Sequence, residues 1–184
     1  MKRLLGTFLI ATIPFMVVSC DGNKQAKKEN KTDLKELIKA NNAYVEINWV
    51  KLEDLDKKIK KEPRKIMMYF YREGCTYCKE MKATTLVDPS IIKLVNDNFY
   101  AVMVDGKSKD PMTFNGVYYV NDHPAPEDAP WRHNLFAALV DPYNGGYYWP
   151  STVFLNEKYE KFRSFPGQQK TPQFQRVLQN MIRR

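Results

Sequence analysis

Two cysteines separated by two residues, Cys75 and Cys78, are the side chains of this sequence best suited to chemistry. Residues 65–71 before them are almost all apolar, which is typical of a strand buried on both faces. Gly74 can make a turn before the pair, and residues 79–82 after it are good helix formers, so we expect the cysteines at the start of a helix. There the unpaired N–H groups and the helix dipole favour a thiolate at Cys75, whereas Cys78 lies one turn further in and is shielded. Such a pair can form a mixed disulfide at Cys75, which Cys78 then resolves.

The same two cysteines could instead form a structural disulfide. Bridging residues so close in sequence closes a very short loop, which the entropic model values at about 2 kcal/mol, against about 3 kcal/mol for a loop of about fifteen residues. A bridge of this span stabilises a fold poorly, but it can be opened and closed. The spacing therefore favours a redox role.

The composition indicates a folded protein with no nucleic-acid partner. The chain has 184 residues, of which 43% are hydrophobic, enough for a core of ordinary domain size. Its formal charge is +8, and the Lys and Arg residues are interspersed with Asp and Glu. Because no basic stripe emerges, we expect the charge to serve solubility.

The first residues have the pattern of an export signal. Lys2 and Arg3 form a positive segment, residues 4–18 are predominantly apolar, and the small Ser19 follows. About fifteen apolar residues are too few to span a bilayer comfortably. We therefore expect residues 1–19 to be a signal peptide that is removed.

Cys20 follows this segment directly, and residues 17–20 resemble the lipobox of bacterial lipoproteins. The resemblance implies a lipoprotein signal peptide, lipidation of Cys20 and attachment to a membrane. An ordinary secretory signal with a chance cysteine is the alternative. Residues 20–32 are polar and rich in Lys and Asn, and predict a flexible tether with a reach on the order of 20 Å. With Cys20 lipidated, Cys75 and Cys78 are the remaining pair of the three cysteines.

The rest of the chain alternates between strand and helix patterns. Strands are predicted over residues 44–50, 65–71, 99–104, 151–155 and 159–165. Helices are predicted over 34–40, 52–61 and 131–140, after Cys75, after the cap Asp88, and from Pro172 onward. Residues 114–117 predict a hairpin turn. This order predicts an α/β fold with a mixed or parallel central sheet.

Several motifs together resemble those of the thioredoxin superfamily. They are Cys75-x-x-Cys78-Lys79, Asp88-Pro89-Ser90 and the segments 98–102, 149–155 and 165–167. Within that superfamily the chain looks like bacterial exported thioredoxin-like lipoproteins with an enlarged middle, over about residues 44–182. The resemblance implies a thioredoxin fold, with a central mixed sheet flanked by helices. It also implies one domain over residues 33–184, with a hairpin-plus-helix insert at about 106–148.

The resemblance also assigns roles to residues near the dithiol. Pro150 matches the cis-proline of the family, and the backbone of Trp149 would pair with an extended substrate segment as an added strand. Thr76 and Tyr77, between the cysteines, complete the expected substrate-binding set. The ordinary alternative for Pro150 is a proline at a strand edge.

The chain departs from thioredoxins beneath the dithiol. Tyr69 stands where they have a buried carboxylate, and Ala101 stands where they have the associated lysine. No obvious general base is left for the Cys78 proton. Glu73 and Glu80 could act through water, although such residues are more often solvated surface charges. The missing base argues against the fast reduction that thioredoxins carry out, but not against dithiol chemistry itself.

These observations predict a membrane-anchored, periplasmic thiol–disulfide oxidoreductase that acts on exported proteins. Its catalytic residues would be Cys75 and Cys78, without a cofactor or metal. The expected partners are protein thiols or disulfides, the membrane through Cys20, and a membrane-bound electron donor as a further candidate. The alternative is a non-catalytic module that binds a protein or a metal through the dithiol, His123 and His133. Aromatic residues around the insert could form a peptide-binding rim: Tyr118, Tyr119, Tyr143, Tyr147, Tyr148 and Trp149.

Overall fold

The computed structural model describes residues 45–122 and 132–184. The predicted signal peptide, Cys20, the tether, the helix over 34–40 and His123 therefore lie outside the described residues. Within the described ranges, no helix is long and apolar enough to cross a membrane.

The described residues form seven strands and five α-helices. The strands are β1 (Trp49–Val50), β2 (Lys65–Tyr71), β3 (Phe99–Asp105), β4 (Met112–Phe114), β5 (Val117–Tyr119), β6 (Ser151–Leu155) and β7 (Lys161–Pro166). The helices are α1 (Leu55–Lys61), α2 (Thr76–Ala83), α3 (Pro89–Asn98), α4 (Asn134–Leu139) and α5 (Thr171–Arg183), with a 3₁₀ turn over Leu52–Asp54 before α1.

Five of the strands form a mixed sheet in the order β1-β3-β2-β6-β7. Strands β1, β3 and β2 are parallel, whereas β6 pairs antiparallel to β2 and β7 antiparallel to β6. The connections from β1 to β2 and from β2 to β3 contain helices, as is usual for crossovers between parallel strands of one sheet. The predicted α/β architecture, with a central mixed sheet flanked by helices, is confirmed.

Strand β2 lies at the centre of the sheet, and the five residues between its ends are fully buried. Its side chains alternate between two hydrophobic clusters, one on each face. Ile66, Met68 and Phe70 join one cluster, and Met67 and Tyr69 join the other. Because both faces are covered, the strand has the continuous apolar pattern found in the sequence rather than an alternating one.

The insert, residues 106–148, contains the β4–β5 hairpin and helix α4. Asn115 and Gly116 have φ values of 49° and 73°, the left-handed conformation that a two-residue hairpin turn requires. Phe114 of the hairpin and Phe136 of α4 belong to the buried cluster on one face of the main sheet. The β4–β5 hairpin and α4 therefore each contribute a side chain to the core of the fold.

Several element boundaries differ from the sequence prediction, and for three elements the structure shows the cause. Strand β1 has two residues instead of seven, because the side chain of Asn96 bonds the backbone of the preceding segment at Asn48 N–H and Glu46 C=O. Helix α4 begins at Asn134 because the ring of His133 caps it. Strand β7 begins at Lys161 because Tyr159, with a φ of 65°, still belongs to the turn.

Candidate active site

The dithiol lies where the carboxyl end of β2 turns into α2. Gly74 makes this turn with a φ of 68°, a conformation that residues with a side chain rarely adopt. Cys75 is the N-cap of α2, and its Sγ accepts a hydrogen bond from the Cys78 N–H at 3.1 Å. The two cysteines form a disulfide, with Cα atoms 5.2 Å apart. A strand, a glycine turn and a helix start thus surround the pair as predicted.

Both cysteines are almost covered in the disulfide state. Cys75 is 4% exposed and Cys78 is 1% exposed. The two residues between them are exposed, and Tyr77 has 62% of its surface in solvent. A second protein would therefore meet Thr76 and Tyr77 before it reaches the sulfur of Cys75.

Tyr69 lies on β2 beneath the dithiol and is fully buried. Its hydroxyl donates a hydrogen bond to the carbonyl oxygen of Cys78 at 3.2 Å. Burial raises the pKa of the Tyr69 phenol well above its usual range. The phenol therefore stays protonated at ordinary pH, and it supports the first turn of α2 without being able to act as a base.

Three carboxylates belong to the elements that lead to or follow the dithiol. Glu73 and Glu80, which the sequence offered as distant candidates for a base, are both exposed. Asp105, which sequence reasoning did not single out, ends β3 opposite Tyr71 and is half-buried. The pKa of the Tyr71 phenol is raised above its ordinary value. Burial is the largest cause, and the negative charges of Asp105 and Glu73 add to it. The signal that could have found Asp105 is its position at the carboxyl end of a strand parallel to β2.

The bond between Trp149 and Pro150 is cis, as the family resemblance implies. Pro150 is buried, and it directly precedes β6, whose Ser151 pairs with Phe70 of β2. The cis bond and the dithiol therefore lie at the same end of the sheet. Trp149 is half-buried, and its ring packs against the insert.

A family model described as a thioredoxin-like domain matches residues 52–182. This chain belongs to the thioredoxin-like family. The match begins at the 3₁₀ turn and ends within α5, so it includes the dithiol, the insert, the cis-proline and every strand of the main sheet except β1. A comparison with curated protein sequences gives no match.

Solved structures of similar fold include a thioredoxin from Thermus thermophilus. It is 21% identical, with a TM-score of 0.51, and the match covers 73% of this chain and 85% of that one. A DsbH oxidoreductase is 13% identical, with a TM-score of 0.49, covering 77% of this chain and 88% of its own. A disulphide isomerase from Xylella fastidiosa Temecula1 is 12% identical, with a TM-score of 0.46 and coverage of 91% and 98%. At these identities the likeness concerns the fold alone.

His133 of this thioredoxin-like protein has a structural role that sequence reasoning missed. Its ring is fully buried, Nδ1 accepts a hydrogen bond from the Leu135 N–H at 3.1 Å, and Nε2 lies 3.1 Å from the Asp110 carbonyl oxygen. These contacts place the proton on Nε2, and burial lowers the pKa of the ring. Both nitrogens are thus used within the protein, so His133 is unsuited to the metal site considered as an alternative. Residues 45–122 and 132–184 contain no cluster of three or more His, Cys, Asp or Glu side chains able to hold a metal.

The aromatic residues around the insert divide into two groups. Tyr119, Tyr147 and Trp149 are half-buried and pack against the core cluster. Tyr118, Tyr143 and Tyr148 are exposed, and the last two contact each other with ring centroids 6.1 Å apart. Only part of the predicted aromatic rim is therefore available to a peptide.

Proposed function

We propose that this protein is a thiol–disulfide oxidoreductase that exchanges disulfides with other proteins outside the cytoplasm. The observation that carries the proposal is the Cys75–Cys78 disulfide at the start of a helix, at the same end of the sheet as a cis-proline. In this position a reduced Cys75 meets the free N–H groups of the helix terminus, which favour its thiolate. Cys78 lies within bonding distance of Cys75 and can close the ring again.

The reaction is a pair of thiol–disulfide exchanges. The thiolate of Cys75 attacks one sulfur of a substrate disulfide, the substrate S–S bond breaks, and the released substrate sulfur takes up a proton. The Cys78 thiol then loses its proton and attacks the Cys75 sulfur, which releases the second substrate thiolate. Two electrons pass to the substrate, and the Cys75–Cys78 disulfide forms. The reverse sequence oxidises a substrate dithiol, and the reduction potential decides the direction.

The substrate would be an extended segment of another protein. A backbone next to a cis-proline can pair with such a segment in the manner of an added strand, and Trp149 offers that backbone here. The exposed Thr76 and Tyr77 would contact residues on either side of the substrate cysteine. Recognition through the backbone fits a protein that accepts several sequences.

The location outside the cytoplasm is supported by the sequence of residues 1–20. The apolar segment and the lipobox-like end favour export and lipidation of Cys20. An anchored oxidoreductase would meet exported proteins and a membrane-bound electron donor.

Trapping of mixed disulfides tests the catalytic proposal. A Cys78→Ser variant of the full chain in detergent should accumulate adducts with a disulfide-bonded peptide, because no resolving thiol remains. Cys75→Ser should trap little, since Cys78 lies inside the helix and not at the N-cap, where a thiolate is favoured. The double serine variant is the control, and mass spectrometry counts the adducts. Equal trapping by the two single variants would argue against the proposal and favour a non-catalytic binding module.

A further inference from the structure

The side chain of Trp149 lies in a space that only a glycine leaves open. A Cβ atom added to Gly106 would come within 2.4 Å of Trp149 Cη2, 2.7 Å of Trp149 Cζ3 and 2.8 Å of Phe136 Cδ2. Real Cβ contacts are essentially never so short, so an alanine here requires the indole to move. Gly106 does not have a left-handed φ. Glycine is therefore needed at this position for space and not for its backbone conformation.

The backbone of Gly106 is hydrogen-bonded both to the dithiol strand and to the insert. Its N–H donates to the carbonyl of Tyr71, the last residue of β2, at 2.8 Å. Its carbonyl accepts a hydrogen bond from the His133 N–H, also at 2.8 Å. The surface beneath the indole is thus fixed to the strand that leads into Cys75.

Phe136 fixes the indole from a second direction. It is fully buried in α4, and its ring contacts Phe70 of β2 edge-on, with centroids 5.4 Å apart. The centroids of the Trp149 and Phe136 rings lie 4.4 Å apart, and the two ring planes form an angle of 31°. Trp149 is therefore stacked on a side chain that itself rests on the central strand.

We propose that Gly106 and Phe136 are positioning residues that hold the backbone of Trp149 and Pro150 in register with Cys75. The inference rests on the proposed function, in which a substrate segment pairs with that backbone. Both residues would thereby serve the reaction through Trp149. Misplacing a bound substrate by about 1 Å can slow a reaction by about a hundredfold, so a shift of this backbone should affect protein substrates strongly.

The test compares a protein substrate with a small one. The pre-reduced full chain is mixed with insulin or with hydroxyethyl disulfide, and single-turnover rates are measured against substrate concentration. For Gly106→Ala we expect the second-order rate with insulin to fall by about tenfold or more, mainly through a higher half-saturating concentration. The rate with hydroxyethyl disulfide should change by less than about twofold, because a small reagent does not pair with the Trp149 backbone.

Gly146→Ala is the matched glycine control. Gly146 also lies in the insert and also lacks a left-handed φ, but an added Cβ would meet its nearest neighbour, Tyr148, at 3.7 Å. This distance is ordinary van der Waals contact, so both rates should equal those of the wild type. Circular dichroism and thermal unfolding establish that each variant is folded.

A second pair of variants tests the stacking, and tests the inference if Gly106→Ala fails to fold. Phe136→Leu keeps an apolar side chain but loses the ring beneath Trp149, and should reduce the insulin rate selectively. Phe114→Leu is its control, because Phe114 is also buried in the insert but contacts Tyr159. Near-UV circular dichroism should change in Phe136→Leu more than in Phe114→Leu, since only the former loses a tryptophan contact.

A double-mutant cycle identifies the cause of the effect. In a Trp149→Leu background the large ring is gone, so Gly106→Ala should add little further loss of insulin reduction. If Gly106→Ala reduced the insulin rate equally in the wild-type and Trp149→Leu backgrounds, the inference would be overturned. Folded Gly106→Ala and Phe136→Leu variants that keep the wild-type ratio of the insulin and hydroxyethyl disulfide rates would also overturn it. A wild type that exchanges with neither substrate would instead overturn the proposed function, and this inference with it.

Discussion

At the residue scale, Tyr69 limits the proton chemistry that is available to Cys78. Its phenol is buried and protonated, and it donates to the Cys78 carbonyl oxygen. A carboxylate at this position could accept the Cys78 proton, but a phenol with a raised pKa cannot do so near neutral pH. In the proposed cycle, that proton leaves through water, and the resolving step should become faster as pH rises.

Tyr69→Phe should separate structural support from proton transfer. Removing the hydroxyl costs one hydrogen bond, so we expect a loss of about 1 kcal/mol of unfolding free energy. The pH profile of the resolving step should remain that of the wild type. Urea unfolding and stopped-flow measurements after mixing with a disulfide peptide provide the two readouts, and a flattened pH profile would contradict this account.

Titration of Tyr69 should also change the stability of the folded protein at alkaline pH. Because the folded pKa of Tyr69 is raised above the ordinary value of 10.0, its contribution is complete below that value and is lost as pH rises through the folded pKa. Tyr69→Phe should therefore lose less stability between neutral and alkaline pH than the wild type. Tyr118→Phe, at an exposed tyrosine, is the control and should behave like the wild type.

At the element scale, helix α4 depends on the buried His133 that precedes it. His133 caps α4 through Nδ1, faces the Asp110 carbonyl through Nε2, and bonds Gly106 through its N–H. Helix α4 in turn carries Phe136, on which Trp149 stacks. A six-residue helix is too short to be stable alone, so this cap and the packing against the core hold it in place.

Protonation of His133 should loosen the insert at low pH. Burial lowers its pKa from the ordinary value of 6.5, although the Asp110 carbonyl and the charge of Asp105 oppose the shift. A depressed folded pKa means that the stabilisation is complete above 6.5 and is lost as pH falls through the folded value. Stability should therefore decline as the solution becomes more acidic than pH 6.5.

His133→Asn isolates this titration. The Asn side-chain oxygen can accept the Leu135 N–H as a cap but cannot gain a proton, so the part of the acid response caused by His133 should disappear. Thermal unfolding at a series of pH values from about 5 to 8 measures the difference, and this window spans the ordinary range of histidine titration. Identical pH profiles for the variant and the wild type would show that His133 does not titrate on unfolding.

At the scale of the whole molecule, the segment that leads into β1 and the dithiol lie at opposite ends of the sheet. β1, β2 and β3 are parallel, the segment before β1 approaches their amino ends, and the dithiol follows the carboxyl end of β2. In the proposed arrangement, Cys20 attaches the protein to a membrane through residues that precede β1.

Cys20→Ala tests the attachment directly. Without the thiol no lipid can be added, so the protein should be released from membranes or accumulate as an unprocessed precursor. Detergent partitioning and the mass of the amino-terminal peptide distinguish these outcomes. A variant that partitions and is processed like the wild type would show that Cys20 is not the anchor.

The elements around the dithiol could be predicted because their signals are local in the sequence. The apolar run of β2 is found at Lys65–Tyr71 as expected, Asp88 caps α3 through the Ser90 N–H, and Asn115-Gly116 forms the hairpin turn. Each of these features is decided by residues within a few positions of one another. The family motifs added the cis bond before Pro150, which local chemistry alone does not specify.

Three features could be known only from the tertiary structure, because each depends on residues that are far apart in the chain. The two-residue length of β1 results from hydrogen bonds with Asn96, about fifty positions away. The cavity for Trp149 is formed by Gly106 and Phe136, and neither residue carries a sequence pattern that points to the other. From the sequence, His133 could be interpreted as a metal ligand. In the structure its two ring nitrogens contact the Leu135 N–H and the Asp110 carbonyl oxygen instead. Packing and hydrogen bonding between distant segments select these roles, because local propensity is weak and does not specify which distant residues a side chain contacts.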